Sequence, residues 1–194
     1  MTYAIYFFCR IDNENVETLC DIISKVINVG ATKIKLLLAS HGGKVQAAHT
    51  AYEFLKKLPV PLSIYNLGVV DSAANIVYLA ADERYAIGNS RFMIHEIIWS
   101  FDTPIETIKY DDLIWIANHL KLQNKLFLKI LKKRTRIHKN QIRKDITKGN
   151  KTISSAEAVE LGFVTKVIPE SQVLDDSDIV NNNLMHYPST TISL

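Results

Sequence analysis

Three short stretches of this sequence carry side chains that could do chemistry, and each follows a predicted strand. Gly68-Val-Val-Asp-Ser72-Ala73 sets a serine hydroxyl at a strand-to-helix turn. There it can face a cleft beside the unpaired N–H groups that open a helix, which favour a developing oxyanion. It can equally cap the helix, one of the commonest uses of serine. Ser40-His-Gly-Gly43 follows a second strand. Paired glycines let backbone approach a ligand and expose N–H groups, or they simply make a tight turn. No glycine-rich phosphate fingerprint accompanies them. Asn89-Ser-Arg-Phe-Met-Ile-His95-Glu96 ends a third, short strand on an imidazole, a side chain suited to general-base work near neutral pH. His41, His49, His119, His138 and His186 show that a histidine alone means little. No pair of them has metal-ligand context, so neither a metal nor a cofactor is expected.

The elements that must position these residues alternate along the chain. Ala4–Phe8, Lys33–Ala39, Leu62–Leu67, Arg84–Ile87, Arg91–Ile94 and Val164–Ile168 read as strands. Between them, helices are predicted over Asn13–Asn28, Lys44–Leu58, Ser72–Ala81, about Ile105–Lys133, Lys139–Lys148 and Ser155–Leu161. The first has Val16, Leu19, Ile22, Ile23, Val26 and Ile27 at helical spacing behind a cap at Asn13. Gly68–Asp71 reads as a loop. Such alternation predicts an α/β layer fold with a mostly parallel sheet, whose sites lie at the carboxyl ends of strands. After Glu170 the chain turns polar, so one domain over residues 1–170 and a polar, flexible tail over 171–194 are expected.

At 194 residues and 47% hydrophobic content, the chain can bury one core without disulfides or a structural metal. Two cysteines make neither a disulfide framework nor a zinc site, and they suit a reducing cytoplasm. No apolar run reaches the roughly 18–20 residues of a membrane helix. The apolar start, Tyr3–Cys9, is too short for a signal peptide, and Arg10 and Asp12 follow at once. Between Lys121 and Lys144 stand ten Lys or Arg and no acid, so the rest of the chain carries −7 against a net charge of +3. A block like this binds nucleic acid or acidic partners, or forms one solvated helix face. No nucleic-acid module pattern accompanies it and aromatics barely interleave, so nucleic acid is not the expected partner.

Taken together, Ser40–Gly43, Gly68–Ala73, Gly88-Asn-Ser-Arg-Phe-Met-Ile-His95 and Ser154-Ser-Ala-Glu-Ala-Val-Glu-Leu-Gly162 resemble the Clp protease proteolytic subunit, in that family's order and near its spacing. The resemblance spans about Ala4–Ile168. It implies a ClpP/crotonase-like α/β fold of repeated strand-strand-helix turns with a long handle helix. It also implies a serine peptidase acting on peptides or unfolded protein, assembled as a homo-oligomeric ring. Ser72 matches the nucleophile and His95 the general base. Gly43 and Ala73 match the residues whose N–H groups form the oxyanion hole.

This sequence also departs from the family. Aligning Ser154–Gly162 sets Asn150 where the family usually carries its third triad residue, an Asp; Asp145 matches only with a shift. An amide can accept Nδ1–H but cannot stabilise imidazolium with a full charge. His41 replaces a proline. Asp71 and Ala73 flank Ser72 where the family usually has Ala and Met. A carboxylate at 71 would raise the basicity of His95 if it pointed inward. Ile98–Ile105 lacks the family's glycine-rich stretch. Leu113, Ile116, Leu120, Phe127 and Leu131 stripe the handle helix, as core or as oligomer contact. The sequence opens on its first core strand, without the family's axial segment, which leaves coupling to an ATPase unfoldase open. Two other readings compete: a non-catalytic structural member of the family, and an acyl-CoA enzyme of the crotonase fold.

Overall fold

A computed structural model describes residues 1–101, 107–138, 149–175 and 178–181. The first half alternates regularly: β1 (Thr2–Phe7), α1 (Asn13–Asn28), β2 (Lys33–Ser40), α2 (Val45–Lys56), β3 (Leu62–Asp71), α3 (Ala74–Tyr78) and β4 (Glu83–Ile87). These four strands pair in parallel in chain order. β2 shows why: Ile34, Leu36, Leu37 and Leu38 are fully buried, the continuous apolar run of a strand covered on both faces. Asp12, not Asn13, caps α1, its carboxylate accepting the Asn15 N–H at 2.9 Å.

The second half supplies β5 (Arg91–Ile94), α4 (Tyr110–Arg134), β6 (Lys151–Ser154), α5 (Ser155–Glu160), β7 (Lys166–Ile168) and β8 (Asp178–Asn181). The sheet runs β6-β5-β3-β2-β1-β8, with β4 branching from β3 and carrying β7. Among the described residues only β5 and β6 pair antiparallel. β8 lies parallel to β1, within the stretch whose composition reads as a tail. The predicted helix over 139–148 and the expected handle start at 105 lie outside the described residues.

β3 is forked. Ser63–Asn66 pair with β4, whereas Val69–Asp71 pair with β5. Asn66 makes the turnover possible: its side chain accepts the Gly68 N–H at 2.9 Å and donates to the Arg91 carbonyl at 2.9 Å. The segment 68–71, predicted as a loop, is therefore strand. α3 spans only Ala74–Tyr78, not Ser72–Ala81, because Ser72 sits at φ +54°, a left-handed conformation that cannot open a right-handed helix.

Alternate side chains fill two cores. Leu36, Leu38, Ile64, Val70 and Phe92 pack with residues of α1, α2 and α3, and Leu37 and Tyr65 join the opposite cluster with Ala4, Ile168 and Val173. Buried Arg84 donates to the carbonyls of Ala81, Phe163, Gly162 and Arg134, joining β4 to the end of α4 and the turn after α5. No helix among the described residues is long and apolar enough to cross a membrane.

Candidate active site

The carboxyl ends of β2, β3 and β5 bring the sequence's candidate residues to one place. Ser72 follows β3 directly, and its N–H donates to the Met93 carbonyl of β5 at 2.8 Å. The hydroxyl caps no helix; Ala73 holds the N-cap position of α3 without a side-chain bond. Instead Ser72 Oγ lies 2.7 Å from His95 Nε2. His95 Nδ1 lies 2.6 Å from the Glu96 carbonyl. A carbonyl only accepts, so in the neutral ring the proton sits on Nδ1 and Nε2 is bare. The hydroxyl must then donate to Nε2.

Asn150 is exposed, and its side chain makes no bond to the ring. Its placement follows from the β5–β6 ladder, whose last pair is Ile94 with Lys151. The ladder ends there, and the residues next beyond it on the two strands are His95 and Asn150. Asp145 lies outside the described residues.

The Ser40–Gly43 turn packs straight onto the nucleophile loop. Gly42 has φ +90°, and a Cβ there would come within 2.7 Å of the Asp71 carbonyl, 2.8 Å of Ser72 Cβ and 2.9 Å of Ala73 N. Gly43 has φ +147°, and a Cβ there would overlap the Ile11 carbonyl. Ser40 Oγ accepts the Gly42 N–H at 3.1 Å, and Lys44 N–H donates to Ile11 O at 2.7 Å. None of these bonds uses the Gly43 or Ala73 N–H.

The Asp71 carboxylate does not address His95. Its Oδ2 lies 3.0 Å from His41 Nδ1 and its Oδ1 3.2 Å from Arg91 Nη1.

Three buried or half-buried amides, not singled out by the sequence, hold this backbone. Asn75 Nδ2 donates to the Ser72 and Met93 carbonyls, both at 2.9 Å, fastening the loop to β5. Its Oδ1 is buried without a partner. Asn66 forks β3. On α4, Asn124 accepts the Ile97 N–H at 3.2 Å, fixing the segment after His95. The one available signal was polarity within an apolar run, as in Ala73-Ala-Asn75-Ile-Val77. Along that segment, Trp99 meets Trp115 edge-on at 5.3 Å. The two tryptophans line a cavity of about 380 Å³.

Burial pushes the Cys9 thiol up to about 12 and the Cys20 thiol to about 11, with nearby carboxylates adding to both, so neither offers a thiolate nucleophile. Among the described residues no three His, Cys, Asp or Glu side chains gather as a metal site.

Comparison with known proteins bears on this arrangement. The Clp protease family description matches residues 4–171. The ATP-dependent Clp protease proteolytic subunit 2 of Treponema denticola is 28% identical over 172 residues, covering 86% of this chain and 82% of that protein. The corresponding subunit of Cyanophora paradoxa is 28% identical over 166 residues, covering 84% of this chain and 82% of that protein. Among solved structures, a mutant ClpP1 from Listeria monocytogenes superposes with a TM-score of 0.77 at 22% identity, over 89% of this chain and 94% of that one. That likeness makes the architecture a ClpP/crotonase-like fold.

Proposed function

Because the chain belongs to the Clp protease family, we propose that it is a serine-type peptidase in which Ser72 attacks the scissile carbonyl and His95 takes its proton. The observation that carries the reading is the 2.7 Å contact between Ser72 Oγ and a His95 Nε2 left bare by the Glu96 carbonyl. As Oγ bonds to the carbonyl carbon, its proton passes to Nε2. The oxyanion of the tetrahedral intermediate is received by the N–H groups of Gly43 and Ala73. Nε2–H then protonates the leaving amine, and water repeats the sequence on the acyl-enzyme. One oxyanion donor typically contributes on the order of 10²–10³ in rate.

Asn150 takes the third role in this reading. When the ring becomes imidazolium, the Asn150 carbonyl oxygen can accept Nδ1–H alongside Glu96 O. It offers a dipole where an aspartate offers a charge. In a Ser-His-Asp site that difference reaches about 10⁴ in rate, so the reading is of a slow enzyme. An inert scaffold or an acyl-CoA enzyme has no need of the serine–histidine contact.

The substrate is a peptide or unfolded protein and the working state a homo-oligomer, taken to be a ring. Leu113, Ile114 and Trp115 stand exposed on α4, which supports self-association. The relatives named above are called ATP-dependent, and an ATPase partner for this chain belongs to the same proposal. The compartment proposed is the cytoplasm; Cys9 and Cys20 are free thiols. A fluorophosphonate probe tests the core of the reading, since only an activated serine reacts. The parent chain should label and Ser72→Ala should not. An unlabelled parent that titrates with CoA would favour the acyl-CoA reading instead.

A further inference from the structure

We propose that His41 and Asp71 are a positioning pair, anchored by Arg91, that locks the Gly42-Gly43 turn against the nucleophile loop and so sets the oxyanion-binding geometry of this chain. The inference rests on the serine-peptidase reading.

The Asp71 side chain is 3% exposed and directly precedes Ser72. Each oxygen serves a different element. Oδ2 meets His41 Nδ1 at 3.0 Å, in the turn after β2, and Oδ1 meets Arg91 Nη1 at 3.2 Å, at the start of β5. One carboxylate therefore ties the turn after β2 and the end of β3 to the start of β5, the strand that leads to His95. A carboxylate only accepts, so His41 Nδ1 carries the proton and donates the hydrogen bond to Asp71. A buried carboxylate stripped of partners is costly, which makes the tie directional.

The turn needs such a tie. Gly42 and Gly43 have no side chains to anchor them, and both occupy positive φ. Gly42 lies so close to Asp71 O, Ser72 Cβ and Ala73 N that a displacement of the turn is felt at the nucleophile at once. His41 is the residue next to this pair, and its side chain is 76% exposed, so it is not held by packing. Gly42 N–H donates to Ser40 Oγ at 3.1 Å and Gly42 O accepts Ile11 N–H at 2.9 Å, and the bond to Asp71 adds the side-chain tie at the His41 end.

The test uses the full chain, with kcat and KM on a model peptide, fluorophosphonate labelling rate and a thermal melt. His41→Ala removes an exposed side chain and leaves Asp71 its bond to Arg91, so the carboxylate is not stripped of partners and the melt should stay close to the parent's. Its kcat and labelling rate should fall about tenfold or more with KM within twofold, since slight misplacement of catalytic groups acts on rate. His41→Asn can place an amide N–H near where Nδ1–H lies, and should recover most of the loss. In an Asp71→Ala background, His41→Ala should add no further loss, because the two act through one bond. Parent-like labelling in His41→Ala, an equal loss in His41→Asn, or losses that multiply would each overturn the pairing while the peptidase reading stands. A parent that never labels overturns both.

Discussion

Asn150 and His95 are the residues next beyond the β5–β6 ladder, whose last pair is Ile94 with Lys151. The ring meanwhile spends its Nδ1 on the neighbouring Glu96 carbonyl at 2.6 Å. The tautomer of the ring is thus set by backbone, and in the proposed site the third position falls to an uncharged residue, Asn150.

Asn150→Asp should therefore raise kcat/KM. The new carboxylate would face the imidazolium as it forms and stabilise that charge. A tenfold gain corresponds to about 1.4 kcal/mol of transition-state stabilisation. Steady-state kinetics on a model peptide reads it directly. An unchanged rate in a folded variant would detach Asn150 from His95 and turn attention to Asp145.

Ser72→Ala should abolish peptide hydrolysis and probe labelling while the fold survives. The hydroxyl caps nothing, and it bonds to His95. Losing one such hydrogen bond costs about 1 kcal/mol. Alanine inherits the φ of +54° that serine already tolerates. A Ser72→Ala protein that cleaves as fast as the parent would end the assignment of the nucleophile.

Gly42→Ala should be far more damaging than its one added methyl suggests. It demands φ +90° from a residue with a Cβ, and places that Cβ 2.7 Å from the Asp71 carbonyl. The turn must retreat from Ala73, and losing one oxyanion donor costs on the order of 10²–10³ in rate. Gly68→Ala is the control, because nothing lies within 4 Å of its Cβ position. Equal activities in the two variants would show that the turn does not touch the reaction.

Some of this site is legible in residue order and some is not. Ser72 and His95 end short apolar runs, and a parallel sheet gathers strand ends, so each is a legible candidate, while their pairing as nucleophile and base rests on the resemblance to the Clp proteolytic subunit. The fork of β3 is not legible, because it depends on one amide, Asn66, answering Gly68 and Arg91 at once. The Glu96 carbonyl is invisible for the same reason: every residue has one, and only backbone direction aims it. β6 and β8 are four residues each and owe their pairing to neighbours, not to periodicity. The left-handed Ser72 shortens α3 against its helical composition.

Stability should fall in acid partly through His49. Burial holds its pKa below the usual imidazole value, opposed in part by Glu53, and its Nε2 is buried without a partner. The unfolded chain thus binds a proton that the folded chain resists. The contribution is intact above about pH 6.5, the unfolded value, and is lost as pH falls below it towards the lower folded value. Urea melts at pH 7.5 and 5.5 should show a smaller drop for His49→Gln than for the parent. Equal drops would remove His49 from the acid response.

The last prediction concerns assembly, and α4 frames it. Its C-terminal half is core: Phe127, Ile130 and Leu131 are buried. Its N-terminal half is not, with Leu113 50%, Ile114 46% and Trp115 57% exposed. In the proposed assembly, this exposed apolar end of the helix is what a second copy of the chain would cover. Ring closure would cover it on every subunit. Charge divides along the same helix: Asp111 and Asp112 open it, and Lys121, Lys125, Lys129, Lys132 and Lys133 crowd its second half. Stacking like ends would repel, whereas setting acidic starts against basic ends would attract. Either effect is screened over about 8–10 Å at physiological ionic strength, so the larger assembly should respond to salt. Light scattering across a salt series should show an oligomer whose size changes with ionic strength. Trp115→Glu should reduce it to smaller species while the melt is preserved, since that ring is already half in water. A monodisperse 22.0 kDa monomer at every salt concentration would sink the ring reading, and with it an enclosed proteolytic chamber.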